Sequence, residues 1–175
     1  MKRAWVSIFA CIAMAAACAV PAYGADIAKI GIVDFQRILS ESEAGKDIQA
    51  ELQKKGRKME TDIRALGTEI EELREQLNRE SMVMSRKKRE EKQRELDIKK
   101  YDFQSKQKKY QSELRELESK LLEKLQTEIF SLAEEIGKEE GYLLIIEKSA
   151  AIYYPNSIDI TDKLIEKYNA IYSDS

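Results

Sequence analysis

The stretch "NRESMVMS", residues 78–85, lies between two long heptad patterns, and the way the chain passes through it decides the fold. Upstream, one seam position carries Leu52, Met59, Leu66 and Leu73, and the other carries Gly56, Ile63, Ile70, Leu77 and Met84. This 3-4 spacing confines the apolar residues to one narrow helical stripe, as a coiled-coil seam does. Downstream the seven-residue repeat returns as Leu96, Phe103, Tyr110 and Leu117, joined by Leu114 and Leu121. Asn78, Ser81 and Ser85 are poor helix formers, and Ser85 suits the N-cap of the returning helix. No proline interrupts the chain between Pro21 and Pro155. These features predict an antiparallel helical hairpin over 42–140 with its bend near 79–85. A bend centred near residue 83 pairs positions whose numbers sum to about 166. Ile70 then faces Leu96, Ile63 faces Phe103, Leu52 faces Leu114, and Gly56 lies opposite Tyr110.

The returning arm is the longer one. From Leu125 its apolar spacing turns to successive fours, and Leu122, Phe130 and Ala133 form a second set beside the first. A face this wide predicts that residues from about 125 to 140 leave the hairpin and pack on a body. Gly141 is placed to end the helix, and Ser40 with Glu43 suggests a capping box at the start of the outgoing arm. The body is expected from the chain ends, residues 25–41 and 141–175. "KIGIVDF" (29–35) and "YLLIIEK" (142–148) favour strands, and "AIYYP" (151–155) offers a third, stopped by Pro155. "SIDITDKLIEKYNAIY" (157–172) reads as a closing helix capped by Asp159 or Thr161, with Ile160, Leu164, Ile165 and Tyr168 facing inward. The expected fold class is therefore mainly α with a small β body, from which a long antiparallel coiled-coil hairpin protrudes. Three strands and short helices bury little apolar area, so copies of the chain are expected to complete the core.

Residues 1–24 read as a signal peptide: "MKR", an uncharged apolar run of 17 residues, then "PAYG" with small residues before a cleavage site after Gly24. The run is short for a membrane span and rich in alanine. Cys18 as an acylated lipoprotein residue is disfavoured by Ala15 three positions earlier. Cys11 and Cys18 are the chain's cysteines and both lie in this segment, and there is no histidine. Beyond Gly24 the chain therefore has no means of building the usual zinc sites, thiol chemistry or catalytic triads, and its scattered glycines form no phosphate loop. No catalytic residue, cofactor or metal is expected, and the chain is not read as an enzyme. With Lys2 and Arg3 removed, 28 basic residues stand against 32 acidic ones, a net charge of −4 that does not suit a nucleic-acid binder. The charges are segregated: residues 86–110 hold eleven Lys/Arg against five Asp/Glu, and residues 111–140 hold four against nine.

With strand, hairpin, strand and helix in place, "IAKIGIVDFQRIL" (27–39) and "GYLLIIEKSAAIYYPNSIDITDKLIEKY" (141–168) resemble the Skp/OmpH family of periplasmic chaperones. Between these motifs the resemblance is one of architecture and length. It implies a homotrimer whose subunits share a β-barrel-like base, with three hairpins projecting around a cavity. It implies an ATP-independent holdase in the periplasm that carries unfolded outer-membrane proteins towards the outer membrane. On this reading Ile30, Ile32, Val33, Leu143, Leu144 and Ile145 contribute to the trimer body. The family's best-known members are strongly basic, whereas here the positive charge is confined to the outer hairpin.

"MVMSRKKREEKQR" (82–94) then admits four readings. The plainest is a solvated helix face, its cations partly neutralised by Glu90, Glu91 and Glu95. Nucleic acid is the weakest, since an exported protein seldom meets any. Client contact would use the adaptable Met82 and Met84 beside Arg86, Lys87, Lys88 and Arg89. The same cations would also suit lipopolysaccharide or anionic lipid. Ile98 and Tyr101, off the seam, either line an inner wall against client or are simply exposed. The alternative function is a structural coiled-coil spacer or tether of the envelope that binds no unfolded chain.

Overall fold

The computed structural model describes residues 28–173, so the expected signal peptide and its cleavage site lie outside the described residues. The order is β1 (Lys29–Val33), α1 (Phe35–Glu41), α2 (Glu43–Glu80), α3 (Arg86–Glu140), β2 (Tyr142–Glu147) and α4 (Thr161–Ser173). Short 3-10 turns occupy Lys148–Ala150 and Asn156–Ile158. β1 and β2 pair in parallel, Ile30 with Leu144 through Val33 with Glu147. Parallel strands need a crossover, and here the crossover contains the whole hairpin.

The fold is mainly helical with a two-stranded sheet. "AIYYP" does not form the third strand: Ile152 is fully solvated, Tyr153 is exposed, and 151–155 pairs with neither strand. The chain instead passes to the free edge of β1, where Ile32 bridges Asp159 and the Ile160 N–H donates to Ile32 O at 2.9 Å. The expected run 29–35 also ends early, because Asp34 takes the N-cap of α1 and its Oδ1 accepts from the Gln36 and Arg37 N–H groups. Ser42, not Ser40, caps α2; its Oγ accepts from Gly45 N at 3.1 Å, while Ser40 Oγ turns back to Arg37 O. Ser42 is the single residue between α1 and α2 and serves both as cap. At the other helix ends, Ser85 caps α3 through Lys88 N, Gly141 stops it at φ 71°, and Asp159 Oδ1 accepts from Thr161 N.

One core joins both chain ends to the root of the hairpin. Val33, Ile38, Ala44, Leu125, Ile129, Leu132, Ile136, Ile160, Leu164 and Tyr168 are buried together. Residues 125–136 of α3 thus face the body, at the spacing of successive fours and threes that a helix needs to keep one side inward. A second cluster of Leu73, Leu77 and Leu96, with Ile70 against it, holds the outer hairpin.

Nearer the root the register departs from the expected pairing. Tyr110 donates to Asp62 Oδ2 at 2.8 Å and is not opposite Gly56, around which a Cβ would meet nothing within 4 Å. Within the hairpin it is Gly67 that faces an aromatic ring: a Cβ there would lie 3.7 Å from Phe103 Cε2. Lys99 and Glu69 pair at 2.6 Å in the same register.

Candidate functional site

Among the described residues, two surfaces expose apolar side chains. The first is the outer edge of β2. Among the described residues the sheet has the order β1-β2, so the side of β2 away from β1 carries no strand. Beside it runs a groove of about 560 Å³, walled by Phe130, Ala133 and Gly137 of α3 and by Leu143, Leu144 and Ile145 of β2. Leu143 is 74% exposed and Leu144 47%, although both belong to a run composed like a buried strand. Phe130 follows the fully buried Ile129 on α3 and is 56% exposed at the groove. Of the residues expected in the trimer body, Ile30, Leu143 and Leu144 are open, Ile145 is half-buried, and Ile32 and Val33 already belong to the chain's own interior. Phe130, Ile152 and Tyr153 are exposed apolar residues not assigned to a surface from the sequence. Phe130 stood in the second apolar set of its helix, which was the available signal.

The second surface is the distal hairpin. Residues 81–84 form the turn between the arms, and there Met82 and Val83 are almost wholly solvated while Met84 is half-buried against the arms. Val83 is a further exposed residue, hidden in the sequence between two methionines. Ser81 Oγ donates to Asn78 O, and the Arg89 guanidinium donates to Ser81 O, so the turn is closed from both arms. Arg86 pairs with Glu90 at 2.9 Å yet stays exposed, and the Lys87 and Lys88 side chains hold no ion pair among the described residues. Farther along α3, Ile98 and Tyr101 are exposed. They stand two and five positions after Leu96 in its heptad, which turns them away from α2. Between them Lys99 reaches back to the other arm, and its ammonium is held above the usual lysine range by the Glu69 carboxylate. The structure therefore places Met82, Arg86, Lys87, Lys88 and Arg89 at the apex and Ile98 with Tyr101 as a separate pair lower on the outer face.

Opposite chain ends are tied at Asp34. Its own N–H donates to Thr161 Oγ1 at 2.9 Å, and its Oδ2 accepts from Lys148 Nζ at 2.7 Å. The Lys148 ammonium holds the Asp34 carboxyl below its ordinary range, against the opposing effect of burial. Three segments are joined there: the β1–α1 turn, the 3-10 turn that follows β2 and the start of α4. Among the described residues no group of three acidic, histidine or cysteine side chains could hold a metal ion, and no helix is long and apolar enough to cross a membrane.

The family model described as "Outer membrane protein (OmpH-like)" matches residues 29–168. Among curated proteins none matches. Among solved structures the chain is similar to a candidate outer membrane chaperone (OmpH-like) from Caulobacter crescentus CB15, with a TM-score of 0.77 and 18% identity. That match covers 85% of this chain and 88% of the other, and at this identity it speaks for the fold. Strand, hairpin and second strand fall within the matched residues, as do the first two turns of the closing helix, and the chain belongs to the OmpH-like (Skp) family of outer membrane protein chaperones, which are not enzymes.

Proposed function

We propose that this chain is an ATP-independent periplasmic holdase that works as a homotrimer. The base of the trimer closes over the β2 groove, and the three hairpins surround unfolded outer-membrane proteins on their way to the outer membrane. The observation that carries this reading is the open apolar edge of β2 at the root of a protruding hairpin. A surface of that kind is an interaction site in a soluble chain. A heterologous contact repeated around a three-fold axis closes without leaving an edge. The family is one of periplasmic chaperones, which agrees with the signal peptide expected at 1–24.

Client contact on this reading falls to Met82, Met84, Ile98 and Tyr101, with Arg86, Lys87, Lys88 and Arg89 adding attraction for acidic segments or for anionic lipid and lipopolysaccharide. Each contact is weak, and three arms acting together raise the effective concentration without a tight site. Release then needs no nucleotide.

The test is suppression of aggregation of an unfolded outer-membrane β-barrel by the purified protein without nucleotide. Replacing Arg86, Lys87, Lys88 and Arg89 by Gln should weaken capture and flatten its salt dependence, since exposed charges are screened over about 10 Å at 0.1 M. Met82→Ser with Met84→Ser should weaken capture with little change in salt response. A wild-type protein that leaves aggregation unaltered would reduce the chain to a spacer.

A further inference from the structure

We propose that α4 is a strap that sets the angle at which the hairpin leaves the body. The first half of this helix belongs to the body. Thr161 and Leu164 are fully buried, and Asp162 pairs with Arg37 of α1 at 2.6 Å. Its second half crosses the root of both arms, where Tyr168 closes the core and the turn after it runs beyond. Tyr168 Oη donates to Glu128 on α3, and Tyr172 Oη donates to Asp47 Oδ2 on α2 at 2.9 Å. Asn169 Oδ1 accepts from the Glu43 N–H at 2.9 Å, and Ser173 Oγ meets Glu43 Oε2 at 3.0 Å. The Glu43 N–H opens α2 and is among the donors that a helix leaves without an internal partner, so α4 completes the start of the outgoing arm.

The bonds from Asn169, Tyr172 and Ser173 lie outside the core that Tyr168 closes. A cleft of about 140 Å³ lies under the two phenols, lined by Ala44, Ile48, Leu121 and Leu125. Asp47, Glu51, Lys124 and Glu128 stand at its rim. Ser42, alone between α1 and α2, is the point about which the outgoing arm can turn, as hinges at element ends do. The bonds of Asn169, Tyr172 and Ser173 are polar and solvent-exposed, and bonds of that kind open most readily. The arms themselves are long helices that transmit a small rotation. From Glu128 to Gln104 the returning arm rises about 36 Å, so a turn of about 10° at the root moves Gln104 by about 6 Å and the tip by nearly twice that. Strap engagement thus selects one hairpin angle from a range. That this angle sets the width of a client cavity rests on the function proposed above.

The experiment uses the exported protein, which has no cysteine beyond the expected leader. Gln104→Cys and Asn156→Cys carry spin labels, labelled chains are diluted among unlabelled ones, and electron–electron distance distributions are recorded. Tyr172→Phe with Ser173→Ala removes the strap's donors to α2, and Asp47→Ala removes an acceptor on that arm. Each should broaden or displace the distribution by about 6 Å with native helical content. Combining them should add little, because they share a bond. Glu166→Ala, on the exposed side of α4, should leave the distribution as it was. Distributions unchanged in both strap variants, or changed as much by Glu166→Ala, overturn the strap. A widened distribution with unaltered client capture upholds the strap and overturns the cavity reading instead.

Discussion

Asp34 shows how much one side chain carries in a body this small. It caps α1, accepts from Lys148 and presents its N–H to Thr161, 127 residues away. Asp34→Asn keeps a capping side chain and loses the charge, whereas Asp34→Ala loses both. A cap contributes about 1 kcal/mol. The pair with Lys148 adds about as much again, because that lysine is half-exposed and screened. Denaturant unfolding at fixed chain concentration should therefore show a loss of about 1 kcal/mol for Asn and about 2 for Ala, and equal losses would remove the cap from the account. The folded carboxyl sits below its ordinary value of 3.8, so its stabilisation is complete above that pH and fades as the pH falls beneath it. Asp34→Asn should flatten that acid limb.

At the scale of elements, two glycines of α2 behave oppositely. A Cβ on Gly56 would meet nothing, and in a helix interior glycine costs roughly 0.5–1 kcal/mol relative to alanine, so Gly56→Ala should stabilise by about that much. A Cβ on Gly45 would lie 2.2 Å from Leu39 O, because the one-residue elbow at Ser42 brings the end of α1 against the first turn of α2. Gly45→Ala should cost more than about 1–3 kcal/mol, as overpacking against backbone does. Thermal unfolding of both variants checks the elbow. The hairpin has its own check: Ile70→Cys with Leu96→Cys should cross-link within a subunit, because both belong to one cluster. Ile63→Cys with Leu96→Cys should fail, its partner lying about 10 Å along the axis. Equal yields would contradict the register.

For the whole molecule, the open groove decides between a lone chain and an assembly. Ile32 is 1% exposed, so Ile32→Asp would unfold the subunit and say nothing about partners. Leu143 projects into the groove from outside the subunit core, and Leu143→Asp costs the isolated chain little. If copies cover that edge, the charge is buried without a partner on assembly, and sedimentation should show a monomer with native helicity. A Leu143→Asp protein that sediments as the wild type does would take the groove out of the contact. On the proposed function the same variant should also lose suppression of client aggregation, since separate hairpins cannot act together on one client.

Most of the helical architecture was legible in the residues themselves. Heptad spacing, the polar break at 78–85, Ser85 as a cap and Gly141 as a stop are signals read within a turn or two, because helical hydrogen bonds and side-chain rows join near neighbours. What involves partners a hundred residues apart was decided by packing. "AIYYP" is composed like a strand, but its chain is drawn past the sheet by Ile160 and Thr161, which are buried against β1 and α1, and so Ile152 and Tyr153 stay in solvent. The cap of α2 moved from Ser40 to Ser42 because Phe35–Glu41 forms a helix of its own over the core, with Ile38 fully buried. Tyr110 went to Asp62, where its hydroxyl finds a carboxylate, instead of filling the space beside Gly56. The exposed candidates on the hairpin could be named from their offset to the seam. Which apolar residues of the two strands belong to the subunit's interior and which to its open edge could not. Ile32 and Leu143 have the same chemistry, and only the tertiary fold places one beside the chain that leads into α4 and the other in the groove.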